Sequence, residues 1–160
     1  MKFVTIGAGF VGSTHSAVLA SHGHDVLAYD LDTAKIADLS SRDAERIDAR
    51  IYEPGLATLI KAHPNLRFTA DLADVAKEID TVDVIFMCLP TPASELDLSD
   101  EKKFLFIAAK NISALLTSRN RSEQKKYVLI VNKSTVPLGT CAKLEQTFTV
   151  CGVRNFSVAS

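Results

Sequence analysis

Lys2-Phe3-Val4-Thr5-Ile6-Gly7-Ala8-Gly9-Phe10-Val11-Gly12, followed after a helical stretch by Val26-Leu27-Ala28-Tyr29-Asp30, decides the architecture of this 160-residue chain. An apolar run breaks into Gly-x-Gly-x-x-Gly, a helical pattern follows, and an acid closes the next apolar run. That succession predicts a strand–helix–strand unit in which each glycine has its own task. Gly7 permits the tight turn out of the strand, Gly9 lets the backbone approach a pyrophosphate, and Gly12 lets the helix pack closely on the sheet. Free N–H groups at the helix start face the phosphates. Asp30 comes 18 residues after Gly12, close to the roughly 20-residue interval at which a carboxylate reaches the adenine ribose hydroxyls.

Outward from this unit, apolar runs alternate with helical patterns, as in a parallel sheet covered by helices. The first strand is Lys2 to Ile6, the first helix Phe10 to Ser21, and the second strand Val26 to Asp30. Asp32 or Thr33 can cap a helix carrying Ile36 and Leu39, and the charged stretch from Arg42 to Arg50 reads as a solvated helix or loop. Tyr52-Glu53-Pro54-Gly55-Leu56 breaks the chain before a short helix through Leu59 and Ile60. Leu66 to Thr69 is a third strand, Asp71 to Ile79 a short helix, and Val82 to Leu89 the strongest strand signal. The unbroken apolar tail of that run implies burial on both faces. Phe104, Ile107, Ala108, Ile112 and Leu115 recur at helical spacing. Tyr127 to Val131, a helix from Gly139 to Phe148, and Phe156 to Ala159 complete the pattern. The fold class is therefore α/β, a doubly wound Rossmann sheet of about six strands in the order 3-2-1-4-5-6, in one domain over residues 1–160.

Composition narrows the function classes. A net charge of −1 gives no general attraction to nucleic acid or acidic membranes. Lys125-Lys126 and Arg119 to Arg121 read as a solvated turn. No apolar run approaches the roughly 20 residues of a bilayer span, and the glycines and Ser13, Thr14 and His15 interrupt any signal-peptide core, so the expected location is the cytoplasm. Cys88, Cys141 and Cys151 lack Cys-x-x-Cys spacing and are expected as reduced, buried thiols. The four histidines have no carboxylate or thiol at ligand spacing, so no metal site is expected, and His22 and His24 read as surface or capping residues.

Ligands of an open α/β sheet bind beyond the carboxyl ends of the strands. Three loops converge there: Gly7 to Gly12, Leu89 to Ala93, and Lys133 to Pro137. Ser134 and Thr135 can hydrogen-bond ribose or nicotinamide groups, or simply cap a helix; Pro90 and Pro92 can stiffen the backbone against a cofactor, or simply end a strand. Spacing alone leaves both readings open.

Gly-Ala-Gly-Phe-Val-Gly, Tyr-Glu-Pro-Gly-Leu at 52–56, Pro-Thr-Pro at 90–92, Asp-Leu-Ser at 97–99 and Ser-Thr-Val-Pro-Leu-Gly-Thr at 134–140 occur in one order. Together they resemble the amino-terminal domain of the UDP-glucose 6-dehydrogenase family, which includes the UDP-N-acetylmannosamine and GDP-mannose dehydrogenases. The resemblance covers essentially the whole chain. It implies a two-step oxidation at the sugar's C6, alcohol to aldehyde to acid, with two NAD reduced. It implies contacts to NAD from Gly7, Ala8, Gly9, Phe10, Val11, Gly12, Asp30, Lys35, Leu89, Pro90, Thr91, Pro92 and Ser134, and a water-positioning, catalytic role for Thr135. The foremost expectation is UDP-glucose as substrate. The alternatives are the other two sugars and a nucleotide-sensing module without chemistry; a β-hydroxyacid dehydrogenase shares the first fingerprint but not Ser-Thr-Val-Pro. The family's pattern continues with an Asn-Pro-Glu-Phe segment, a lysine and a cysteine-bearing loop that these residues do not contain. The expectation is accordingly a cofactor-domain fragment, inactive alone, of an enzyme that binds its nucleotide sugar through further domains and assembles as a homo-oligomer. The loop from Ala93 to Asp100 is short and lacks glycine, a departure from the family pattern.

Overall fold

Runs rich in Val, Ile, Leu and Phe supply six short strands, and the spacing between them leaves room for a helix in every crossover. The computed structural model describes residues 1–90, 98–118 and 126–160, with the backbone alone for 98–103. Its elements are β1 (Lys2–Ile6), α1 (Phe10–Ser21), β2 (Asp25–Tyr29), α2 (Thr33–Ser40), α3 (Ala44–Arg50), α4 (Leu56–Ala62), β3 (Leu66–Thr69), α5 (Leu72–Glu78), β4 (Val84–Met87), α6 (Leu98–Thr117), β5 (Val128–Asn132), α7 (Thr140–Val150) and β6 (Phe156–Ala159). The strands form one sheet in the order β3-β2-β1-β4-β5-β6, every pair parallel. The expected order is the observed one.

Period-two alternation sends successive side chains to opposite faces. Phe3, Val26, Ala28, Leu66 and Val84 pack under Ala17 and Ala20 of α1, Ile36 and Leu39 of α2, Ile47 of α3 and Ile60 of α4. Val4, Ile6, Leu27, Ile85, Met87, Val128 and Ile130 meet Val75 of α5, Leu105, Ala109, Ile112 and Leu116 of α6, and Leu144 and Phe148 of α7. The reversal of winding falls between β1 and β4, which places the turn after β1 at the crevice where this fold takes its ligands.

Several local expectations change. The stretch from Arg42 to Arg50 is not simply solvated: Ile47 is fully buried. Arg42, with a left-handed φ of 56°, aims its guanidinium at the carbonyls of Ile60, His63 and Leu66. A guanidinium carries enough donors to serve several carbonyls at once, and here it ties the last turn of α4 to the start of β3. Lys126 is paired with Asp83, Nζ to Oδ1 at 3.0 Å, while 119–125 lie outside the described residues. Of the three thiols only Cys88 is buried; Cys141 is half-buried and Cys151 exposed, because α7 turns its 141 position partly outward and ends at 151. On α6 the buried stripe is Leu105, Ala109, Ile112 and Leu116, whereas Phe104 and Ile107 stay 55% and 54% exposed.

Candidate functional site

The turn after β1 is held by backbone contacts that leave no room for side chains at two of its glycines. Gly7 has φ +100° and an added Cβ would lie 2.3 Å from the carbonyl oxygen of Cys88; at Gly12 it would lie 1.8 Å from the carbonyl oxygen of Gly7. At Gly9 an added Cβ meets nothing within 4 Å. Gly7 and Gly12 are thus fixed by the fold, whereas the fold itself leaves room for a side chain at Gly9. Gly9 is also the N-cap of α1 with no side-chain cap. The first N–H of the helix to find a carbonyl is that of Ser13, on Gly9 at 2.9 Å. The N–H groups of Phe10, Val11 and Gly12 precede it, without protein partners among the described residues, at the positive end of the helix dipole. Phe10 and Val11 are themselves more than half exposed, at 58% and 54%, so they contribute main chain rather than packing.

Asp30 lies one residue past β2. Its Oδ2 accepts from the N–H of Ala8 at 2.8 Å and from Lys35 Nζ at 2.8 Å, and its Oδ1 accepts from the N–H of Asp32 at 3.0 Å. Burial opposes ionisation of Asp30, yet the Lys35 ammonium and the two N–H groups outweigh it and hold the carboxyl below the usual carboxylate range. Lys35 reaches this position because Asp32 caps α2, accepting from the N–H of Lys35 at 2.9 Å.

Beside Asp30 and Lys35 opens a pocket of about 270 Å³ whose wall includes Gly7, Tyr29, Leu31, Leu72, Leu89, Pro90, Phe104, Ile107 and Asn111. This explains the exposed stripe of α6: Phe104 and Ile107 face the pocket instead of the core. Sequence periodicity registers both stripes of α6 as apolar and cannot separate them, so the pocket-facing role of these two residues went unread. Leu89 and Pro90 thus do come together with Gly7, Asp30 and Lys35. Thr91 and Pro92 lie outside the described residues.

At the end of β5, the Ser134 hydroxyl accepts from the N–H of Leu89 at 3.0 Å and donates to its carbonyl at 2.8 Å. Asn132, buried, receives the Ser134 N–H on its Oδ1 at 3.3 Å and donates Nδ2–H to the Ser134 carbonyl at 2.9 Å. The hydroxyl of Ser134 therefore clasps the β4 and β5 loops together. Thr135 is exposed and does not cap α7: the N-cap is Gly139, in left-handed backbone, without a side-chain cap bond. Of the two readings left open by spacing, helix capping is removed for both hydroxyls.

Cys88 lies beneath the turn, its thiol pushed up to about 11 by burial against the opposing pull of Lys133. A protonated thiol is a poor nucleophile. His15 packs edge-on against Phe86 with ring centroids 4.3 Å apart, and its Nε2 is buried without a partner. His22 closes α1, its Nδ1 2.8 Å from the carbonyl of Val18. Among the described residues no His, Cys, Asp and Glu group of three or more gathers to hold a metal, and no helix is long and apolar enough to cross a membrane.

An open cradle above Gly9, unpartnered N–H groups at a helix start, an ionised carboxylate and an apolar slot beside it fit the pyrophosphate, ribose and adenine of a dinucleotide in turn. Comparison with known proteins agrees. A family model described as UDP-glucose/GDP-mannose dehydrogenase family, NAD binding domain, matches residues 1–160. A UDP-glucose 6-dehydrogenase of Rhizobium meliloti is 34% identical over 149 residues, covering 91% of this chain and 30% of that protein. A UDP-N-acetyl-D-mannosamine dehydrogenase of Methanococcus vannielii is 28% identical over 143 residues, covering 89% of this chain and 30% of its own length. The fold matches a GDP-mannose dehydrogenase from Pseudomonas aeruginosa with a TM-score of 0.80 at 24% identity, over 99% of this chain and 35% of that one. The chain spans about a third or less of the length of each of these proteins.

Proposed function

We propose, from the fact that this chain belongs to the UDP-glucose/GDP-mannose dehydrogenase family as its NAD-binding domain, that it serves a UDP-glucose 6-dehydrogenase, converting UDP-glucose to UDP-glucuronate with two NAD reduced. The cradle over Gly9, closed on one side by an Asp30 already held ionised, carries the cofactor assignment. Relatives named UDP-glucose 6-dehydrogenase, at 32–36% identity, support the choice of sugar over UDP-N-acetylmannosamine, two dehydrogenases of which are 28% identical.

In this reading the main chain from Gly7 to Gly12 receives the pyrophosphate, Asp30 accepts from the adenine ribose with Lys35 fixing its orientation, and Leu89 and Pro90 form the wall of the base pocket. NAD, when bound, supplies the hydride acceptor. Thr135, exposed beside the Ser134 clasp, presents a hydroxyl at the reacting end of the strand-end crevice, where it holds a water or substrate oxygen in place. In this reading the thiol nucleophile of the reaction is not Cys88, whose thiol burial keeps protonated.

Two measurements test this together. The 160-residue chain binds NAD in calorimetric titration and yields no NADH when mixed with NAD and UDP-glucose. The complete enzyme yields two NADH per UDP-glucose and prefers it to UDP-N-acetylmannosamine and GDP-mannose. Steady turnover by the short chain, or preference for another sugar, overturns the corresponding part of the reading.

A further inference from the structure

The pocket beside Asp30 is apolar except at a few points, and one of them is unexplained. Asp30 and Lys35 neutralise each other at its rim, 2.8 Å apart. Asn111 sits on the same stripe of α6 as Phe104 and Ile107, at the i, i+3, i+7 positions that share a helix face. Its neighbours on that stripe are apolar walls; its own carboxamide has no hydrogen-bond partner among the described residues. Asparagine is a poor mid-helix residue, so the helix itself gives no reason for it.

An adenine filling this slot would present flat apolar faces to Leu72, Leu89 and Ile107. Its edge carries the 6-amino donor beside a ring-nitrogen acceptor, and a carboxamide offers the complementary acceptor and donor side by side, as asparagine does when it reads adenine elsewhere. Tyr29, the other uncharged polar side chain on the wall, offers a single hydroxyl and cannot pair with both groups. We infer that Asn111 recognises the adenine base of the dinucleotide through its amino edge and so sets the base preference of the pocket. This rests on the NAD site proposed above.

The test is calorimetric titration of the chain with NAD and with its 1,N6-etheno derivative, in which a third ring closes the amino edge. The unmodified chain should bind NAD about tenfold more tightly than the etheno form, the worth of two neutral hydrogen bonds. Asn111→Leu and Asn111→Ala, at an exposed position without partners, should melt as the parent does, lose about tenfold in NAD affinity and bind the two dinucleotides alike. Tyr29→Phe should keep the preference. A preference that survives in both Asn111 variants reflects the bulk of the third ring and overturns the inference while leaving the NAD site intact, as does equal binding by the unmodified chain. Absence of NAD binding by the unmodified chain overturns the site and the inference together.

Discussion

Gly9 and Gly12 stand three residues apart in one turn, yet a methyl group should do opposite things at the two positions. At Gly12 the added carbon would fall 1.8 Å from the Gly7 carbonyl oxygen and 3.2 Å from Cys88 Cβ. The first of these is main chain, so no rotamer relieves it; α1 must move off the sheet. Overpacking of this kind costs about 1–3 kcal/mol, and with backbone as the obstacle about 3 kcal/mol is expected for Gly12→Ala. In a domain of this size that lowers the melting temperature by roughly 6–12 °C. At Gly9 the backbone is extended, φ −79° and ψ −164°, a conformation valine tolerates, and the space is open. Gly9→Val should therefore melt within a few degrees of the parent, while its methyl groups occupy the pyrophosphate position. Thermal denaturation with and without NAD separates the two effects. At a ligand concentration of about 100 Kd the parent gains about 2.7 kcal/mol, roughly 5–11 °C. Gly9→Val should gain nothing. A folded Gly9→Val protein that keeps the NAD shift, or a Gly12→Ala protein that melts with the parent, would refute the division of labour between fold and ligand.

Three further outcomes are expected. The chain should bind NAD about a hundredfold more tightly than NADP: a 2′-phosphate facing Asp30 at about 4 Å and an effective dielectric near 20 costs about 4 kcal/mol, part of which Lys35 offsets, and Lys35→Met should widen the gap in parallel titrations. Thr135→Ala in the complete enzyme should cut turnover strongly and leave both NAD affinity and melting temperature unchanged, since α7 is capped at Gly139; a lower melting temperature with full turnover would return Thr135 to a structural role. Burial, reinforced by Lys133, lowers the His15 imidazole from its ordinary 6.5. The unfolded chain then binds the proton more readily, so its contribution to stability is complete above pH 6.5 and falls away as the pH drops through the folded value. Urea denaturation from pH 7.5 to pH 5 should show this loss in the parent and a shallower one in His15→Leu.

Most of the fold was legible because its determinants are local. The glycine fingerprint, the Asp32 cap and the alternation of apolar runs specify β1 to β2 and the winding order without knowledge of distant contacts. What escaped was tertiary. Arg42 looks like one more charge in a charged stretch, and its bonds reach residues 18 to 24 positions away. Ser134 was legible as a polar group at the right strand end, but its partnership with Leu89, 45 residues earlier, depends on β4 and β5 lying side by side. Phe104 and Ile107 carry the right hydrophobicity for a core and the wrong azimuth. Asn111 gave no signal at all, since an asparagine in a helix is ordinary until the helix is seen to wall a pocket. The local motif thus marked the glycine turn and the carboxylate beside it, whereas the apolar pocket exists only once α6 lies beside the ends of β1 and β2.

The bonds that Asp30 makes to Ala8, Asp32 and Lys35 have a kinetic corollary. The carboxylate and the turn are already held in one arrangement, so a cofactor binding there as proposed need not wait for these groups to order. Association should follow a single concentration-dependent phase at ordinary bimolecular rates, and substitutions around this rim should register chiefly as altered residence time.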